Sequence, residues 1–197
     1  MTGQRRLSQA ISEGDGISLI VPATDLESVQ LAEEQGAEGV VVERDLPGIR
    51  EATALPIFWR AEASPAEALS RGADACLVGA ESLDEDLERL ERRFTEAAEL
   101  GLECVVQVRD DDDLELALER LDPEIFLLSP QLGDDGEEPL ERVLDLLPDI
   151  PAGKLAIADL DVTSRDEVAE LERAGVDAVI VGTGNVAGLV SAAPPEV

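Results

Sequence analysis

Four consecutive aspartates at 110–113 close the segment CVVQVRDDDD, and a run of carboxylates is what a divalent cation would seek. A hard cation such as Mg²⁺ needs oxygen ligands converging from several directions. Four neighbours in sequence instead fan out around a helix. The run therefore reads as a helix start, in which Asp at the N-cap and first turn accepts orphan backbone N–H groups and complements the dipole. A second candidate is VGTGN: Gly182, Thr183, Gly184 and Asn185 follow an apolar run and can form a glycine turn opening onto a helix N-terminus. Such a turn is an anion cradle, or equally an ordinary strand-to-helix connection. Asp159, two residues before Asp161, is a candidate proton carrier, with two solvated loop acids as the plain alternative. Trp59, the sole tryptophan, stands beside Arg60. It can stack on an aromatic ligand, cover the arginine by a cation–π contact, or simply fill the core.

What is missing narrows the chemistry further. The chain has no histidine, so the commonest general base and metal ligand is gone, and Ser-His and Cys-His mechanisms go with it. Cys76 and Cys104 both lie inside apolar runs and read as small buried thiols rather than a disulfide. No metal or other cofactor is expected.

Forty-five acidic against 15 basic residues give a formal net charge of −30, and Lys154 is the only lysine. Such a surface repels phosphate backbones and anionic membranes, so nucleic acid and membrane partners are excluded. Salt adaptation, genomic base composition favouring arginine, and an acidic docking surface are the competing explanations. Apolar residues make up 44% of the chain and charged residues 30%, a globular rather than a disordered balance. No opening signal-like stretch and no run near the roughly 18 residues of a membrane span is present. A cytoplasmic protein is expected.

The elements that must hold these residues follow from one repeated unit. A polar helical stretch ends in a glycine-containing turn, and an acidic residue then precedes four or five apolar ones, as in EEQGAEGVVV, SRGADACLVG, ELGLECVVQV and RAGVDAVIVG, and with one of the two signals in RLDPEIFLL (the acid) and PAGKLAIA (the glycine). Glycine supplies the left-handed cap that lets the chain reverse. The β-branched run that follows is a strand buried on both faces, the mark of a parallel sheet. Strands are predicted near 17–21, 39–42, 56–59, 74–78, 103–108, 124–128, 154–158 and 177–181. Helices fall near 25–35, 46–53, 65–71, 83–100, 111–121, 137–147 and 164–174, with a weak last one after 184. Eight βα units point to an α/β fold, a compact (β/α)8 TIM barrel of eight parallel strands with short loops. It forms one domain over 1–197, with 1–16 as an N-terminal extension and 184–197 as the weak helix and tail.

With these units laid out, residues 30–183 resemble the indole-3-glycerol phosphate synthase family, (β/α)8 carboxy-lyases of tryptophan biosynthesis. The resemblance rests on ALPIFWRAE, PAEALSRGADACLVGAESLDEDLERL, EAAELGLECVVQVRDDDDLELAL and TSRDEVAELERAGVDAVIVGTG. It implies closure of an indole ring on a phosphorylated carboxyphenylamino-deoxyribulose, with loss of carbon dioxide and water. That reaction needs a general acid at the ketone, a proton-handling group at the hydroxyl and a phosphate cradle, all at the C-terminal ends of the strands.

Matched position by position, the implied chemistry is altered. The Glu-Val-Lys of the first strand has no counterpart in ISLIVPATD. The lysine acid after the third strand falls in Trp59, Arg60, Ala61 and Glu62, and a guanidinium stays protonated at any relevant pH. The glutamate after the fifth strand becomes Gln107, which hydrogen-bonds but exchanges no proton. The sixth strand ends in Ser129, Pro130 and Gln131 where the family has an Asn-rich run. The seventh ends in Ala158, Asp159, Leu160 and Asp161, so a charged side chain stands where a glycine would approach the phosphate. Only the Gly182–Asn185 turn keeps its residue types for phosphate binding.

Arg60, Gln107, Ser129 and Asp159 thus occupy the family's catalytic positions, with Trp59, Glu62 and Asp161 as ligand-lining residues. Three readings follow. The first is a synthase-like pseudoenzyme. The second is an enzyme of altered chemistry on a small anionic or phosphorylated substrate. The third is a true synthase with displaced groups drawn from Glu43, Arg44 and Glu62. The implied partner is a small anionic ligand or a protein of the same pathway. With 2% aromatic residues, anchors for a large protein interface are few.

Overall fold

The computed structural model describes residues 6–14, 16–61, 63–79, 87–130, 138–162, 164–182 and 186–189. Each apolar run becomes a strand: β1 (Ser18–Pro22), β2 (Gly39–Val42), β3 (Ile57–Trp59), β4 (Ala75–Val78), β5 (Glu103–Val108), β6 (Ile125–Leu128), β7 (Leu155–Val162) and β8 (Ala178–Val181). All neighbours pair in parallel and in sequence order, and β8 returns to β1. This is the closed (β/α)8 barrel that the alternation predicts. The helices are α1 (Leu7–Ser12), α2 (Leu26–Glu34), α3 (Ile49–Ala52), α4 (Pro65–Ser70), α5 (Leu87–Glu99), α6 (Asp111–Arg120), α7 (Pro139–Leu146), α8 (Arg165–Ala174) and α9 (Val186–Leu189).

Period-two alternation along each strand divides the core into two layers. Ile20, Val41, Phe58, Leu77, Val105, Leu127, Ile157 and Ile180 fill the barrel interior, one from each strand. Their neighbours Val21, Val42, Trp59, Val78, Val106, Leu128, Ala158 and Val181 face outward under the helices. Both sets are at most 6% exposed, so each large side chain contributes about 1.5–3 kcal/mol of burial.

The acid that recurs before the strands has a structural reason. Glu38, at the entry to β2, accepts from the Leu19 N–H of β1 at 2.8 Å. Asp74 does the same for Ile57 of β3 at 2.8 Å, and Asp177 for Ala156 of β7 at 2.8 Å. In each case the carboxylate closes the bottom of the preceding strand, where the ladder leaves a donor open. Burial pushes the Asp177 carboxyl upward, against the bond from Ala156.

The N-terminal extension holds a helix that the pattern reading did not place. Leu7 and Ile11 of α1 join the interior cluster from below and stopper the barrel floor. Glu103, 6% exposed at the foot of β5, pins this stopper by accepting from the Ser8 N–H at 3.2 Å and from the Ser8 hydroxyl. Leu7, Ala10 and Ile11 have the i, i+3, i+4 spacing of a helix face, so the signal was present but short. Elsewhere α3 begins at Ile49 rather than near 46, and β7 runs four residues past its expected end, with a bulge between Asp159 and Val162.

Candidate active site at the barrel mouth

Two residues beyond each interior side chain, the same pleat places the ring around the C-terminal mouth: Pro22, Glu43, Arg60, Gly79, Gln107, Ser129, Asp159 and Gly182. Ladder bonds extend the strands far enough to aim two of them. The Arg60 N–H donates to the Val42 carbonyl at 2.8 Å, and the Ser129 N–H to the Val108 carbonyl at 3.0 Å.

Asp159 is the hub. Arg60 reaches it from β3, on the opposite side of the barrel, and binds it bidentately, Nη1 to Oδ1 at 3.1 Å and Nη2 to Oδ2 at 2.5 Å. The Ser129 hydroxyl donates to the same Oδ2 at 2.9 Å. Glu43 from β2 adds a weaker contact, its Oε1 3.7 Å from Arg60 Nη1. The Arg60 and Asp159 side chains keep 24% and 18% exposure, while Glu43 keeps 65%. A planar guanidinium facing a carboxylate in this way is held in orientation as well as charge.

Of the residues singled out in the sequence, Arg60, Ser129 and Asp159 converge at this mouth. Gln107 faces it too, half-buried, its side-chain amide without a hydrogen-bond partner among the described residues. Asp161 lies within the β7 bulge and is exposed. Trp59 is a correction. The alternation that sends Phe58 and Arg60 inward sends Trp59 outward, where it is 1% exposed in the helix-facing layer. Its cation–π partner is Arg71, 5.1 Å from the ring centroid, not Arg60, so it does not line the mouth. Glu62, Thr183, Gly184, Asn185 and Gln131 lie outside the described residues. Gly182 is exposed, and a Cβ there would meet nothing within 4 Å. Glu43, named from the sequence only as a spare polar group, proves to be part of the network. Arg44 turns away and donates to the Thr24 carbonyl.

The aspartate run starts α6. Asp110 is the N-cap and accepts from the Asp113 N–H at 2.9 Å. Asp113 returns to Arg109 through Nε at 2.7 Å and Nη2 at 3.1 Å. Among the described residues no group of three or more His, Cys, Asp or Glu is placed to hold a metal ion.

A family model described as indole-3-glycerol phosphate synthase matches residues 28–187. The chain belongs to the indole-3-glycerol phosphate synthase family. A curated relative, indole-3-glycerol phosphate synthase of Variovorax paradoxus (strain S110), is 36% identical over 120 residues, covering 59% of this chain and 42% of that protein. This chain thus spans less than half the length of that synthase. Among solved structures, thiamine phosphate pyrophosphorylase from Pyrococcus furiosus superposes with a TM-score of 0.65 at 18% identity, covering 88% of this chain and 90% of the other. The N-acetylmannosamine-6-phosphate 2-epimerase of Clostridium perfringens does so at 0.64 and 15%, covering 84% and 86%. At those identities the likeness is one of fold alone. No described helix of this synthase-family barrel is long and apolar enough to cross a membrane.

Proposed function

We propose that this synthase-family barrel, related to tryptophan biosynthesis, does not carry out the family's ring closure, its mouth being occupied by an internal ion-pair network. The observation that carries this reading is the engagement of Asp159 by Arg60 and Ser129 from two other strands. The reaction requires a group that gives a proton to a ketone and another that handles the proton of a departing hydroxyl. Arg60 holds its proton at any working pH, and Gln107 has none to exchange. Asp159 already accepts three donors. The single lysine, Lys154, sits at the entry to β7, the opposite end of the barrel, bound to Asp122 at 2.6 Å. Asp161 adds negative charge where the family's phosphate would lie.

The test is direct: the purified chain is given the phosphorylated carboxyphenylamino-deoxyribulose, and the fluorescence of indole-glycerol phosphate is followed. The expected outcome is no product above a heat-inactivated control. Turnover that disappears in Arg60→Ala would overturn the reading.

One observation favours a second reading, an enzyme of altered chemistry on a small anionic or phosphorylated substrate. Gln107 presents an amide to the mouth with no partner among the described residues, as a group awaiting a ligand would. Here Asp159 is the proton carrier and Arg60 the anion clamp. A ligand that binds only the folded state raises the melting point, so thermal-shift screening of sugar phosphates and anthranilate derivatives separates the two. A hit abolished by Gln107→Ala selects this reading; no shift at millimolar ligand rejects it.

A further inference from the structure

In a barrel of eight strands closed in sequence order, β3 and β7 stand on opposite sides of the mouth. Arg60 follows β3 and Asp159 lies on β7, so the arginine side chain crosses the opening to make their bidentate pair. Neither member is sealed off: their side chains keep 24% and 18% exposure, and a solute can reach both.

The neighbouring strands set further polar groups at each end of the pair. Glu43 follows β2 on the Arg60 side, its carboxylate 3.7 Å from Nη1 and largely exposed. Ser129 follows β6 on the Asp159 side and donates to Oδ2 at 2.9 Å. Gln107, on β5, faces the same opening with its side-chain amide unpartnered among the described residues.

Charge pairing decides what such a mouth can take. An anion placed on Arg60 leaves the Asp159 carboxylate without its cation, and a cation placed on Asp159 leaves the guanidinium without its anion. Breaking a buried pair by taking away one partner is strongly unfavourable, because the other charge is left uncompensated. A ligand that carries both signs replaces each half and strands neither. Arginine has many side-chain rotamers, so Arg60 can withdraw towards its own strand. That opens a slot across the mouth, positive on the β3 side and negative on the β7 side.

We propose that the mouth is a binding site for a zwitterion, a free α-amino acid, which inserts into the Arg60–Asp159 pair. Its carboxylate takes the guanidinium fork in the bidentate manner that Asp159 now does, and its ammonium takes Asp159. Ser129 keeps its bond to Asp159 and holds that carboxylate in orientation. Gln107 offers an amide donor and acceptor to the ligand's remaining polar atoms. Asp161, exposed within the β7 bulge, adds negative charge on the ammonium side, whereas Glu43 competes with the ligand for Arg60. The inference rests on the same ion pair as the proposed function, but the two fail separately. Turnover of the family's substrate overturns that function, whereas a ligand screen reads binding whatever the turnover assay gives.

The test is thermal unfolding and calorimetric titration of the full chain with each common free amino acid at millimolar concentration, beside its α-amide and its N-acetyl form. The amide lacks the carboxylate, and the N-acetyl form lacks the ammonium. A ligand that binds only the folded state raises Tm, and at roughly a hundredfold excess over Kd the rise for a chain of this size is about 5–10 °C. The expected result is such a rise with one or more free amino acids, with both blocked forms binding at least about tenfold more weakly. Arg60→Ala and Asp159→Ala should each abolish the heat of binding, and Glu43→Gln, which removes the competitor, should tighten it. No response to any free amino acid, or an equal response to either blocked form, overturns the proposal. So does binding retained in Arg60→Ala or Asp159→Ala, and so does weaker binding in Glu43→Gln, the mark of a simple cation site. If a charge-deleting variant fails to fold, the blocked ligands on the wild-type chain decide alone.

Discussion

Replacing Asp159 by alanine removes the acceptor of three hydrogen bonds at once and strands Arg60 at the mouth with, among the described residues, only Glu43, 3.7 Å away and largely exposed. Two unit charges 4 Å apart interact by about 4 kcal/mol at an effective dielectric near 20. At 18–24% side-chain exposure the pair lies between exposed pairs, worth about 0–1 kcal/mol, and buried ones, whose breaking costs about 3–5 kcal/mol. Solvent screening at those exposures discounts the gross figure by roughly half, and the expected loss is about 1.5–3 kcal/mol. For a chain of this size each kcal/mol moves Tm by about 2–4 °C, so Asp159→Ala should melt about 3–12 °C lower. The assay is urea unfolding of Asp159→Ala, Arg60→Ala and the double variant. Groups in contact couple non-additively, so the double variant should lose about as much as the worse single one. If the two single losses simply add, or each falls below about 0.5 kcal/mol, the size of a surface substitution, then the bidentate pair is not a structural unit. The proposed function would lose its supporting observation with it.

Gly72 sits at φ 84°, and a Cβ there would come within 2.7 Å of Arg50 Cβ. That arginine ties the carbonyls of Thr53 and Leu55 to Asp74, so Gly72→Ala should cost about 2–3 kcal/mol from left-handed strain and displacement together, read by urea midpoint. The Ser64 N–H and hydroxyl hold the Glu67 carboxyl below its ordinary value of 4.5. A depressed carboxylate stabilises above its unfolded value and loses that contribution as pH falls through the native one. Wild type should therefore melt above Glu67→Gln at neutral pH, and the gap should close as pH drops well below 4.5; a pH-independent gap would contradict the linkage. With a net charge of −30, self-repulsion destabilises the compact state and is screened over about 10 Å at 0.1 M salt. Tm should rise with added KCl in that range, and a flat response would show that the acidic surface carries no such strain.

Eight strands, their parallel order and both core layers were legible in the sequence, because a strand buried on two faces must be continuously apolar and most runs are preceded by a glycine turn, an acid or both. The helix start at Asp110 was legible for the same local reason: an N-cap satisfies N–H groups three residues away. The short stopper α1 was missed because one turn and a half of periodicity is weak beside eight long repeats. Trp59 was drawn to the mouth by its neighbour Arg60 in sequence, although period two puts adjacent strand residues on opposite faces.

What the sequence determined by itself is the scaffold and the residue types at the ends of its strands, since both depend on residue type and on spacing along the chain. Only the tertiary structure decided that Arg60 is spent on Asp159, 99 residues away, that Ser129 shares the same oxygen, and that Cys76 and Cys104 are register partners. These pairings depend on barrel closure and strand stagger. Both are properties of all eight strands together, and no local pattern encodes them.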